Sequence, residues 1–458
     1  MNFYGDRPVL TLAVFLSFAL LGISTGALAD QEVSNKPEDW DEQLEMLRSV
    51  PYIAFSETAV DKSDSGVVLY NSEKASSGYN LYSSKSLNKT ILMNMEGRVV
   101  HEWKYSPTQG RGPYHCALML GDGDLLVIIR DQELVRLNWN SQVVWKKQLA
   151  AHHDVAQAPD GSIYVVVREP RNYRGRQVNF DAIVHLTPEG EEIGRWSTYE
   201  HLAEIKSVLN TKSFMDTILD SAPAGHLQER SDSLFFRPSP HDPDLSYFHT
   251  NTVSLLPATV LGAGDARFRR GNLLVCFRNV NQIAVLERDT YRVLWAWGEG
   301  ELEWPHHPTI LPNGHLLIFD NGVRRLHSRV VELDAVAGTV VWEYQAEPAR
   351  QFYSYVGGSA QRLPNGNTLI CNHDQGQAFE VTGEGELVWM WRNPVSQPKE
   401  RKRPAKLAKW AEQGRWVRPE TVYRMTRLPS DQVDQLLKKM APERSGDGEL
   451  SEILPMSK

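Results

Sequence analysis

Six stretches of this chain finish a β-prone run on tryptophan: Val99-Val100-His101-Glu102-Trp103, Val143-Val144-Trp145, Ile193-Gly194-Arg195-Trp196, Val293-Leu294-Trp295, Val340-Val341-Trp342 and Leu387-Val388-Trp389. Successive tryptophans are 42, 51, 99, 47 and 47 residues apart. A unit repeated every forty-odd residues cannot bury its own apolar face and must stack on its copies. Between these endings lie apolar runs broken by turn dipeptides, as in Leu118–Val127 around Asp122-Gly123, Ala158–Val165 around Asp160-Gly161, Leu311–Ile318 around Asn313-Gly314 and Leu363–Ile370 around Asn365-Gly366. Asp-Gly and Asn-Gly between apolar runs are hairpin turns, since both residues tolerate positive φ. Short strands at this period define propeller blades. The expected fold is therefore an all-β, six-bladed β-propeller, although 458 residues would ordinarily suggest about three domains.

The ring is expected over residues 66–395. The long 99-residue interval holds an insertion at 197–248, in which Tyr199–Asp220 reads as helix and Ala222–Asp244 is rich in Pro, Ser and Asp. Without that insertion each blade has roughly 47 residues, within the range of propeller repeats. Residues 396–458 form a C-terminal extension. Its first part is basic, with ten Lys or Arg against three acids between Ser396 and Arg427, and reads as a solvated, partly helical face. The segment 421–428 is expected to be a strand that docks on the ring or closes it.

Residues 1–29 read as a signal peptide or membrane anchor: an uncharged apolar run follows Arg7 and closes on Ala27-Leu28-Ala29. A run of that length also suffices to span a bilayer. A polar leader, 30–65, follows, with a short helix expected at Trp40–Val50. The bulk of the protein is thus expected to be periplasmic or secreted, or N-terminally anchored and facing the periplasm. That location removes easy access to cytosolic nucleotide cofactors, and none is expected. The net charge of −8 disfavours nucleic acid, and membrane contact is expected only through the N-terminal anchor. Cys116, Cys276 and Cys371 lie far apart, without a CxxC pair, which argues against a disulfide framework and a zinc site.

One repeat position carries chemistry. Eight residues before the turn glycine stand His115, His153 and His306, and His249 opens the comparable run His249–Pro257; the last unit has Gly358 there. Innermost strands of a propeller line its channel, so equivalent positions bring these imidazoles to one axis. Arg278 interrupts an apolar strand, where a guanidinium needs a partner or a wet channel. Arginine with several histidines suits an anionic, oxygen-rich ligand. A metal is the competing use of clustered histidine, but no HxH or HExxH pair and no companion carboxylate set accompanies these residues.

The runs His153-Asp154-Val155, His249-Thr250-Asn251, Leu274–Arg278, His306–Gly314 leading into Phe319-Asp320-Asn321-Gly322, and Gln361–Ile370 resemble the bacterial PAPS-independent aryl-sulfate sulfotransferases, in a divergent branch. The resemblance covers about residues 75 to 430. It implies a six-bladed periplasmic propeller that moves a sulfuryl group from an aryl sulfate to a phenolic or other hydroxyl acceptor through a sulfohistidine. Carried over by motif, it implies His306 as nucleophile, with His153, His249 and Arg278 around the sulfuryl group. Asn251, His115 and His307 are the expected substrate-binding residues. The chemistry is coherent, because a neutral imidazole is nucleophilic near pH 7 and covalent capture divides one hard transfer into two.

Two other classes compete. A non-catalytic envelope scaffold would bind partners through its loops or basic extension and leave the histidines dispensable. A quinoprotein-like dehydrogenase is suggested by Asp334–Trp342, but such enzymes use about eight Trp-docked repeats and a calcium site.

Overall fold

The computed structural model describes residues 60–61, 64–107, 114–209, 216, 246–396, 416–417 and 419–440. The N-terminal segment 1–29, most of the leader with its expected helix, most of the 197–248 insertion and the basic stretch 397–415 lie outside the described residues. Among the described residues, no helix is long and apolar enough to cross a membrane.

Six small antiparallel sheets form a six-bladed β-propeller. Blade 2 contains β6 (Tyr114–Met119), β7 (Leu125–Ile129), β8 (Glu133–Leu137) and β9 (Val143–Gln148), in that order from the channel outward. Blade 3 contains β10 (Ala151–Gln157) to β13 (Glu192–Ser197), blade 4 β14 (Thr250–Leu255) to β17 (Val293–Trp297), and blade 5 β18 (His306–Ile310) to β21 (Thr339–Tyr344). Both ends of the chain complete the circle. The C-terminal strand β27 (Met425–Leu428) is the innermost strand of blade 1, pairing with β3 (Tyr79–Ser84) ahead of β4 (Lys89–Met93) and β5 (Val99–Lys104). The N-terminal β2 (Gly66–Tyr70) is the fifth, outermost strand of blade 6, on β25 (Leu387–Arg392) and beyond β22 (Ser359–Arg362).

The turns are those the dipeptides call for. At Asp122-Gly123, Gly123 N–H donates to Leu120 O (3.0 Å) and Leu120 N–H to Asp124 O (2.8 Å). Gly123 has φ +90° and Gly314 φ +93°, a region open to glycine at little steric cost. A Cβ at Gly314 would also lie 2.3 Å from that of Leu261.

The tryptophans hold blade to blade. Trp145 Nε1–H donates to Pro188 O (2.9 Å), Trp342 Nε1–H to Gly383 O (2.8 Å) and Trp389 Nε1–H to Met95 O (2.9 Å), each on the following blade. Central strands such as β7, β15 (Leu273–Phe277) and β19 (Leu316–Asp320) are buried along their whole length, as strands packed on both faces should be. Of the insertion, helix α1 (Leu202–Leu209) is described and buries Ile205 and Leu209. The cysteines Cys116, Cys276 and Cys371 are free and buried.

Candidate active site

Four innermost strands bulge close to their histidines. Register shifts fall between Ala151 and Val155 in β10, Thr250 and Thr252 in β14, His306 and Thr309 in β18, and Tyr114 and Ala117 in β6. A bulge inserts a residue and re-aims the side chains around it. The backbone at His153 (φ 59°), His249 (φ 51°) and His307 (φ 46°) is left-handed, a conformation that non-glycine residues hold mainly where surrounding structure imposes it.

The result is a row of imidazoles in edge-on and tilted contact. His115 Nε2 lies 3.0 Å from His153 Nδ1, sharing one proton. Ring centroids are 4.9 Å apart for His115 and His153, and 4.6 Å for His153 and His249. Tyr423, in the segment leading to β27, lies against His115 at 4.1 Å and His153 at 5.8 Å.

His306 is held as one tautomer. Its Nδ1 is 2.7 Å from Asn321 Oδ1 and 3.0 Å from Trp304 O. Both are acceptors, because Asn321 Nδ2 already donates to Ser354 O (2.6 Å) and Gly357 O (2.8 Å). Nδ1 therefore carries the proton and Nε2 the lone pair. His306 is 1% exposed, and its Nε2 has no hydrogen-bond partner among the described residues, as is true of His249 Nε2 and His115 Nδ1. Arg278 is also buried, with Nε–H donating to Asn279 Oδ1 (3.0 Å) and its guanidinium 4.6 Å from the Trp304 ring centroid.

Electrostatics keep these imidazoles neutral. Burial, and then Arg278, push His306 down to about 3. Burial is also the first cause for His115, His153 and His249, all held well below the ordinary histidine value, with Lys85, His249 and Arg278 respectively the next. Desolvation disfavours the cation and neighbouring positive charge adds to it.

Two expected binding residues sit elsewhere. Asn251 Nδ2 donates to Pro305 O (2.8 Å) and its Oδ1 accepts from Thr252 Oγ1 (3.0 Å), so its amide braces the backbone just ahead of His306. The β18 bulge turns His307 away from His306. His307 Nδ1–H donates to Ala360 O (3.2 Å), and the residue lines a separate cavity of about 370 Å³ with Asp154 and Arg424. Arg424 pairs with Asp154 at 2.8 Å.

A second register is present that the histidine spacing did not reveal. Seven residues after the glycine that leads into the second strand of each blade stand Lys85, Arg130, Arg168, Arg278, Asn321 and His373. The glycines are Gly78, Gly123, Gly161, Gly271, Gly314 and Gly366. These residues meet the histidine set from the next strand outward: Lys85 and Arg130 act on His115, Arg168 and Arg278 on His249, and His373 on His306. Among the described residues, no group of three or more His, Cys, Asp or Glu is arranged to hold a metal ion.

Histidines and a buried arginine are thus gathered at the inner strands of a six-bladed propeller. The family model for arylsulfotransferase (ASST) matches residues 116–394, and the chain belongs to that family. No curated protein matches the chain. Solved structures with a related outline include a protein of unknown function from Bacteroides caccae (14% identity, 69% of this chain and 94% of that one, TM-score 0.43). A streptogramin B lyase (11%, 76% and 86%, 0.41) and a virginiamycin B lyase from Staphylococcus aureus (9%, 75% and 89%, 0.40) are others.

Proposed function

We propose that this protein transfers a sulfuryl group from an aryl sulfate to a hydroxyl acceptor through a covalent intermediate on His306 Nε2. The observation that carries this reading is the fixed tautomer of His306: its Nδ1–H is held by Asn321 and Trp304, leaving a buried Nε2 lone pair without a partner among the described residues. In the first step that lone pair attacks sulfur, the S–O(aryl) bond breaks, and the phenolate leaves with the bonding electrons. The released phenolate takes its proton from solvent. In the second step the acceptor hydroxyl oxygen attacks the sulfohistidine sulfur, the S–N bond breaks with its electrons returning to Nε2, and the acceptor proton passes to the neutral His115–His153 pair and from there to solvent. Arg278 and His249 stabilise the charge on the sulfuryl oxygens, where placed donors contribute most in a dry site. The uncharged run closing on Ala27-Leu28-Ala29 supports placing this reaction outside the cytoplasmic membrane.

The test is the protein with 4-nitrophenyl sulfate, with and without phenol, followed by nitrophenol release and intact mass. Acceptor-dependent release and an adduct of one SO₃ are expected, with His306→Ala lowering turnover by about 10³-fold or more, as loss of a covalent nucleophile does. No release with any donor and acceptor would remove the transferase reading in favour of a binding propeller. Unchanged turnover in His306→Ala would remove the nucleophile.

A further inference from the structure

The bulge in β18 sends two adjacent histidines to different surroundings. His306 joins the imidazole row, whereas His307, left-handed at φ 46°, lines the cavity of about 370 Å³ together with Asp154 and Arg424. The apolar walls of that cavity are Leu118 of β6, Val155 of β10, Leu255 of β14 and Pro308 of β18, residues that come after the site histidines in four successive blades. Inner strands line the central channel of a propeller, so the cavity lies further along the channel than the row. Its volume is in the range of small-molecule sites.

The polar groups of the lining are few and specific. His307 Nδ1–H donates to Ala360 O (3.2 Å), so Nε2 carries the lone pair, and it has no hydrogen bond to the described residues. Arg424, half-buried, donates through Nη1 to Asp154 Oδ1 (2.8 Å). Among the described residues its buried Nε–H has no acceptor and its Nη2 makes no hydrogen bond. Asp154, 3% exposed, is saturated, because its oxygens also accept from Val155 N–H (3.0 Å) and Val253 N–H (3.1 Å). Arg424 and Asp154 are the only charges among the described lining residues, and they are paired with each other. Burial, and then Arg424, hold His307 well below the ordinary histidine value and keep it neutral. An anion entering here meets Asp154 as well as Arg424, and a metal ion finds no open carboxylate.

We propose that this cavity is a second ligand site, separate from the sulfuryl site, and that it takes a small neutral phenol. The hydroxyl accepts from Arg424 Nη2 and donates to His307 Nε2, and the ring lies between the apolar walls. A ligand with many hydroxyls, such as a sugar, would turn most of them toward those walls and lose their hydration. The inference does not depend on sulfuryl transfer, since neither His307 nor Arg424 serves that reaction.

Calorimetry on the full chain tests it with 4-methylphenol, neutral at pH 7, against toluene and 4-methylbenzoate. 4-Methylphenol is expected to bind about fivefold or more tighter than either, the effect of hydrogen bonds to one hydroxyl. His307→Leu is expected to remove the advantage over toluene, and His307→Gln, whose amide oxygen also accepts, to keep most of it. Ser254→Trp, which fills the cavity from β14, is expected to weaken 4-methylphenol by about tenfold or more. Tighter binding of 4-methylbenzoate than of 4-methylphenol would overturn the neutral ligand. No binding of 4-methylphenol, or an affinity unchanged in both His307→Leu and Ser254→Trp, would overturn the site, whether or not the protein turns over aryl sulfates.

Discussion

His306 owes its availability to Asn321, fifteen residues on and the second-register residue of the same blade. Replacing Asn321 with Leu removes the closer acceptor for Nδ1–H and lets the ring turn or change tautomer, taking the Nε2 lone pair off the sulfur. A misoriented or wrong-tautomer imidazole is severely impaired. Asn321→Leu is therefore expected to lower kcat by about tenfold or more with little change in KM, because the fault lies in the reacting nitrogen; steady-state kinetics with 4-nitrophenyl sulfate would show it. A rise in KM at unchanged kcat would mean that Asn321 acts on binding instead. Much of this site is readable in the sequence, since His115, His153 and His306 share one residue type and one distance from a turn glycine. The second register is hard to read for the opposite reason: Lys, Arg, Asn and His occupy it, and only position unites them. His307 and Asn251 show a different limit, because a bulge decides which of two adjacent side chains faces the channel.

At the level of elements, closure of the ring depends on one buried arginine. Arg427 in β27 is 3% exposed. It pairs with Glu380 Oε2 (2.9 Å), donates to Asn80 Oδ1 (2.6 Å) and Ser76 O (2.6 Å), and lies 4.9 Å from the Trp389 ring centroid. It thus joins the strand that completes blade 1 to the outer strands of blade 6. Arg427→Met strands Glu380, which is 0% exposed, as an uncompensated buried charge, and a broken buried pair of this kind costs about 3–5 kcal/mol. The expected outcome in urea unfolding is a lower midpoint with an unchanged slope, and a partial return of the midpoint in Glu380→Gln/Arg427→Met. If the double variant is no more stable than the single one, the loss comes from packing rather than from the stranded charge. Of the strand expected at 421–428, Met425–Leu428 forms, but its partner β3 lies some 340 residues earlier in the chain. That pairing is fixed by the geometry of a closed ring and leaves no local trace. The blades themselves are legible because each hairpin and each tryptophan is a local signal.

For the whole molecule, burying so many imidazoles ties stability to pH. His115, His153, His249, His306, His307 and His373 are all depressed from the ordinary value, with burial the first cause in each. A histidine depressed on folding stays neutral in the native state while the unfolded chain takes up a proton below about pH 6.5. The unfolded state then binds more protons, so stability rises with pH and is lost as pH falls below 6.5. For His306 the loss continues down to its native value of about 3. Each such group contributes at most about 1.4 kcal/mol per pH unit in that window. Thermal scans of the unliganded protein are therefore expected to show a nearly level Tm above pH 7 and a progressive fall from pH 6.5 to 5. Ordinary surface carboxylates, which titrate near 4, add their share only below that range. His115→Gln removes one of the six titrating groups and is expected to flatten the acid slope without reversing it. A Tm that stays level between pH 7 and 5 would mean that these imidazoles take up protons in the native protein as readily as in the unfolded chain, and a His306 protonated in that range has no lone pair on Nε2 with which to reach sulfur.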